Sequence, residues 1–169
     1  MKYNLIYSDK RKTVSISVKD GEVIVRAPRR TPKNIIEKYL NDHTDWIEKH
    51  LKKSVARKEK FDLLTDADIK KIKKQAKEYF TLKTEEYAKI MGLKYGRITI
   101  TSAKTRFGSC SSKGNISYSY RLMLYPEAAR EYVVVHELAH LLQMNHSPSF
   151  YEIVKSVLPD YKQRRQMLK

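Results

Sequence analysis

The stretch "VVVHELAHLLQMNHSPSF", Val133 to Phe150, decides how the rest of the chain is read. It breaks an apolar run with His136, Glu137 and His140, and then adds His146. On a helix turning about 100° per residue, side chains four apart share a face one turn apart, so His136 and His140 can grip one ion. Glu137 is rotated by about 100° from His136, poorly placed as a ligand but able to reach a water in the open position of the ion. Val133, Val134, Val135, Leu138, Leu141 and Leu142 surround these groups. Burying two imidazoles and a carboxylate among them is costly unless something pairs them, and a cation does so. The spacing therefore predicts a metal site on a buried helix rather than a core helix with two satisfied histidines.

A catalytic zinc takes three protein ligands, and His146 is the candidate for the third. On an unbroken helix it would lie about 15 Å along the axis from His136 and about 80° away, too far to share an ion. The helix is therefore expected to stop near Met144 to Asn145, since Asn145 tolerates the left-handed conformation and Pro148 soon follows. Ser147 is placed to cap the next helix, "PSFYEIVKSVL". Glu152, one turn into that helix, is the fallback ligand or a partner that orients one of the ligands. The same histidine spacing occurs in metzincins, but Gln143 stands where their turn has glycine, which argues against that group. The expected cofactor is one Zn2+ per chain. It would bring the pKa of a bound water towards about 7, with Glu137 as catalytic base.

Outward from this helix, the pattern is α+β. Val14, Ile16 and Val18 alternate with polar neighbours, turn at Asp20-Gly21 and resume at Val23 and Val25, a hairpin with one buried face. "TPKNIIEKYLNDHTDWIEKHLKK" then reads as one helix opening at Thr31-Pro32, with His43 and His50 on its apolar stripe as packing residues. The lysine-rich "KKSVARKEKFDLL" reads as the end of that helix and a connection. A second long helix runs from near Asp66 to Met91, with Ile69, Ile72, Ala76, Phe80, Tyr87 and Ile90 inward and Gly92 as its stop. Beyond it come a strand and a hairpin turning at Ser112-Lys113-Gly114, with Ile116, Tyr118 and Tyr120 alternating. The expected architecture is a metal-binding helix packed on a small, mainly antiparallel sheet in residues 61–169, preceded by a hairpin-plus-helix lobe in residues 1–60.

Composition narrows the setting. Cys110 is the only cysteine, so no intrachain disulfide is possible. It reads as a small buried strand residue, or, if near the cleft, as a thiol able to reach the metal. The opening "MKYNLIYSDKRK" has polar residues where a secretory signal needs an apolar run, and no membrane span is evident, so a cytoplasmic location is expected. With 35 Lys plus Arg against 19 Asp plus Glu, the formal charge is +16, which draws polyanions at long range. The lysines are scattered along helical faces, so this is weak support for a nucleic-acid partner.

"HELAHLLQMNHSPSFY", preceded by "RFGSCSSKGNISYSYRLMLYP", closely resembles the YgjP-like metallopeptidases, a minimal zincin family related in its core to the SprT-like proteases. The likeness extends to the basic amino-terminal hairpin and the "WIEKHL" helix. It implies a zincin-like hydrolase fold with His136, His140 and His146 as zinc ligands and Glu137 as catalytic base. Phe107 departs from the tryptophan usual before "GSC".

The expected activity is peptide hydrolysis. An extended peptide or protein substrate would lie beside an edge strand of the sheet in residues 97–120. Arg106, Tyr118, Tyr120 and Tyr151 are the candidates for contacting it. One alternative is hydrolysis of a nucleotide phosphoanhydride, although "GSCSSKG" lacks the spacing of a phosphate-binding loop. The others are a SprT-like protease working near DNA and a basic nucleic-acid binding module with a purely structural zinc, for which Cys110 alone is a poor supply of thiolates.

Overall fold

The computed structural model describes residues 2–168, and the chain is α+β. It divides between Leu64 and Thr65 into two compact units. Among the described residues no helix is long and apolar enough to cross a membrane.

In the first unit the predicted hairpin forms: β2 (Ser15–Lys19) pairs antiparallel with β3 (Glu22–Pro28), Lys19 opposite Glu22. Asp20 and Gly21 take positive φ, 52° and 83°, the two-residue turn whose twist matches paired strands. A strand not foreseen from the sequence, β1 (Asn4–Ser8), lies parallel to β3 on its other edge. Val23, Val25 and Ala27 point to one face, where Ile36, Leu40 and Ile47 cover them.

The single helix expected after the hairpin is two, α1 (Lys33–Asp42) and α2 (Thr44–Asp62). Local side chains compete for the carbonyls at the break. His43 Nδ1–H donates to the Tyr39 carbonyl at 2.8 Å, and the Thr44 hydroxyl donates to the carbonyls of Leu40 and Asn41 at 3.3 and 2.9 Å. His50 is spent similarly on the Trp46 carbonyl, at 2.7 Å, and stacks on the indole. The lysine-rich stretch read as a connection is helical through Asp62, because Lys, Glu, Arg and Ala are strong helix formers.

The second unit opens with α3 (Asp66–Met91), which has the limits its sequence suggests. Thr65 and Asp68 form a reciprocal capping box, and Gly92 ends the helix at φ 65°. Ala76, Phe80, Thr84, Tyr87 and Ala88 are its buried face. Ile90, expected inward, is 63% exposed, since it lies about 80° round the axis from Phe80.

Three short strands follow, β4 (Ile98–Thr101), β5 (Gly108–Cys110) and β6 (Ile116–Ser119), in the order β4-β6-β5. The sheet is mixed rather than mainly antiparallel: β6 runs parallel to β4 and antiparallel to β5. Alternation reveals which face a strand buries, not the direction of its neighbour, so the parallel pair was illegible. Tyr120 leaves the strand at once to begin a 3-10 helix, Tyr120–Leu124.

The helix of the opening motif, α4 (Glu127–Ala139), packs against α3, β5, α5 (Pro148–Val157) and α6 (Tyr161–Gln166). Eight of its residues are buried, which is why its sequence is apolar nearly all round. Its one shielded ion cluster is Glu131, whose carboxylate accepts from Lys83 Nζ of α3 at 3.0 Å and from Arg164 of α6 at 2.7 Å. Burial alone would raise the Glu131 carboxyl, but the hydrogen bonds from Lys83 and Arg164 outweigh it and hold the group below its ordinary value.

A carboxyl depressed by folding stabilises above its unfolded pKa of about 4.3, and that contribution fades as pH falls through the folded value. Glu131→Gln is expected to lower the unfolding free energy by about 2 kcal/mol at pH 7, since it leaves two shielded cations without their partner. Urea melts at pH 7 and pH 3 check this: the gap between parent and variant should narrow at the lower pH.

Candidate metal centre

α4 ends at Ala139, with His140 as its C-cap, earlier than the break expected near Met144 to Asn145. The chain tightens there, with Leu141 N–H donating to Leu138 and both Leu142 and Gln143 N–H donating to Ala139. His140 Nδ1–H donates to the Gln143 carbonyl at 3.0 Å, so a side chain takes the place of the next backbone turn. The Gln143 amide then donates to Asn145 Oδ1 and Ser147 Oγ, both at 3.1 Å, and Ser147 N–H donates to Asn145 Oδ1. This braced turn reverses the chain and returns His146 to α4.

One ring nitrogen from each of His136, His140 and His146 lies within 4.8 Å of the other two, and these three form a group that can hold a metal ion. Nε2 of His146 is 3.0 Å from Nε2 of His136. The ring centroids make a nearly even triangle, with sides of 4.9, 4.9 and 4.7 Å. Phe150 of α5, fully buried, lies 4.8, 4.6 and 4.9 Å from the three rings and forms a common apolar floor. The Nδ1 bond of His140 leaves Nε2 of that ring as the lone-pair donor. Burial, then the neighbouring His140, His146 and Arg165, pushes His136 down to about 3. Burial, His140 and Arg165 also lower His146. Both rings are therefore held in the neutral form that ligates.

Glu137 is only 4% exposed, and burial raises its carboxyl to about 8. The reason it fits is Gly108 of β5, where a Cβ would stand 2.5 Å from Glu137 Oε1 and 2.8 Å from Cγ and Cδ. The strand backbone thus lies directly on the carboxylate. Cys110 is on the same face two residues along; burial and the charge of Glu137 raise its thiol, which keeps it protonated.

β5 is an edge strand. Phe107 and Ser111 direct backbone groups at β6, as the bonds Ser119 N–H to Phe107 and Ser111 N–H to Asn115 show. By ladder alternation those of Gly108 and Cys110 point to the outer edge.

The other expected contacts divide. Tyr118 and Tyr120 are 0% and 2% exposed; Tyr118 stacks on Phe80 and shares a 3.0 Å hydrogen bond with Thr84. Neither offers a substrate any surface. Arg106 is exposed in the connection before β5. Tyr151 is half-buried, its ring 6.3 Å from that of His146. Glu152 is exposed and does not belong to the group of metal-capable side chains. Phe107 packs edge-on against Tyr125 at 5.0 Å. Sequence reasoning missed Gly108, Gln143, Phe150 and Arg165. Only Gly108 carried a usable signal, a glycine inside a strand pattern that marks close approach of another group.

A family model described as the YgjP-like metallopeptidase domain matches residues 12–70 and 66–169, and the chain belongs to that family. Among solved structures it is similar to the crystal structure of the metallopeptidase zymogen of Pyrococcus abyssi abylysin. The identity is 26%, over 53% of this chain and 90% of that one, with a TM-score of 0.49. No curated protein matches the chain. Family membership supports a metal-dependent peptidase, and the three-histidine group is where its divalent ion can sit.

Gly108→Ala must push the Glu137 carboxylate aside, because the added methyl collides with it. The expected result is a fall of about a hundredfold in kcat/KM, the scale on which small misplacements act, with metal content unchanged. Metal analysis beside peptide hydrolysis rates checks it; an active Gly108→Ala enzyme would mean that Glu137 has room to spare.

Proposed function

We propose that this protein is a zinc-dependent peptidase in which His136, His140 and His146 hold the ion and Glu137 handles the proton. The single observation that supports this best is the convergence of three imidazole nitrogens within 4.8 Å, one residue along the chain from a buried carboxylate. Zn–N bonds of about 2.0–2.1 Å in a tetrahedral site place nitrogens about 3.3 Å apart, close to the 3.0 Å between His136 and His146. The donor set is three imidazoles, which suits zinc and would leave a fourth position open. When bound, the ion supplies Lewis acidity at the carbonyl and makes water a nucleophile near neutral pH.

The remaining work falls to the chain itself. Glu137, raised by burial, is a stronger base than an ordinary carboxylate. It takes a proton from the attacking water on a carboxylate oxygen and returns it to the leaving amine nitrogen. Gly108 fixes where that carboxylate can stand. The outward backbone groups of Gly108 and Cys110 offer an extended peptide a short ladder, which aligns its carbonyl with the site. No feature of the geometry favours a phosphoanhydride: residues Ser111 to Asn115 form a hairpin turn, closed by Gly114 N–H to Ser111 and with Gly114 at φ 73°.

Glu137→Gln is expected to keep one zinc per chain and to lose about 10²- to 10⁴-fold in kcat on an unfolded substrate such as casein. A chelator should abolish the activity of the parent and added zinc should restore it. Parent-like turnover by the glutamine variant would sink this mechanism.

A further inference from the structure

Two adjacent arginines on α6 have different circumstances. Arg164 is taken up by Asp160 and Glu131, and through Glu131 it ties α6 to α4. Arg165 is exposed and has no carboxylate partner among the described residues. Its guanidinium carbon stands 5.9 Å from the centre of the Tyr151 ring. Tyr151 in turn stacks on Tyr161 at 5.8 Å and lies 6.3 Å from His146. The aromatic pair gives the guanidinium a seat at the rim of the histidine triangle, on a helix that Arg164 holds still.

That location works against metal binding. Seated on the ring that flanks His146, the guanidinium of Arg165 repels a divalent ion held by the three histidines. The scattered surface lysines carry no such cost. A permanent cation fixed beside a cation site becomes favourable when an anion lies against it, and a planar fork of donors suits a carboxylate.

We propose that Arg165 is a specificity-determining residue that binds a carboxylate of the substrate peptide, either a free C-terminus or an Asp or Glu side chain near the cleaved bond. This rests on the peptidase reading. It makes the enzyme prefer acidic or C-terminal segments, which the strongly basic chain also attracts from a distance.

The test uses the full-length, zinc-loaded chain carrying Glu137→Gln, so that peptides bind without being cut. Fluorescence polarisation compares four peptides of one sequence: neutral with a C-terminal amide, neutral with a free C-terminus, and each of these with one internal glutamate. Adding Arg165→Ala should weaken the preferred carboxylate peptide about tenfold or more and change the fully neutral peptide less than threefold. Arg165→Lys should recover part of the loss, because it keeps the charge without the fork. Which carboxylate peptide responds identifies the source. Equal effects on charged and neutral peptides, or none on either, overturn the proposal. Casein cleavage by the parent is followed alongside. A parent inert towards casein sinks the peptidase reading, whereas a parent that cleaves normally beside flat Arg165→Ala binding sinks this proposal alone.

Discussion

Three imidazoles with their lone-pair nitrogens turned towards one point are the constraint on which the rest of the second unit depends. Two imidazole nitrogens 3.0 Å apart are satisfied either by one proton shared between them or by a cation that both bind. The surroundings act to keep them there. Burial and the neighbouring rings hold His136 and His146 unprotonated, the Gln143 carbonyl takes the N–H of His140, and Phe150 gives the three rings one shared contact. The fold thus holds together a group of side chains that a divalent ion can occupy.

The carboxylate beside the triangle obeys a related logic. Glu137 lies on a helix face buried by β5, and an ordinary side chain at position 108 would exclude it. With glycine there, the strand backbone can touch the carboxylate while its outer groups remain available for pairing. One short strand thus fixes where the Glu137 carboxylate stands and, in the function proposed above, offers the edge along which a peptide would lie. Its mixed sheet is anchored to α3 by the stacking of Tyr118 on Phe80 and by the Thr84 hydroxyl, which explains why two tyrosines that looked available for substrate are core residues instead.

Opposite charges are distributed unevenly around α4. Glu131 gathers Lys83 and Arg164 into a shielded cluster that holds three helices together, while Arg165 has no carboxylate partner among the described residues. Two neighbouring arginines therefore have different surroundings, Arg164 in ion pairs and Arg165 against the Tyr151 ring. Nothing in the local sequence "YKQRRQ" distinguishes them, because the distinction lies in which helix each one faces.

His136, Glu137 and His140 were legible because helical period alone sets which of them share a face. The hairpin at Asp20-Gly21 and the limits of α3 were legible for the same local reason, since turn and cap chemistry act over two to four residues. The need for a chain reversal before His146 also followed from helix dimensions, although its position did not: the helix yields at His140, where an imidazole and the Gln143 amide replace backbone hydrogen bonds. The strand partners, β1, the parallel alignment of β6 with β4, the closeness of Gly108 to Glu137 and the floor provided by Phe150 were decided only in the tertiary structure. Local sequence determines dihedral preference and facing, whereas contacts between distant segments depend on which surfaces exclude water together, and that is a property of the whole fold.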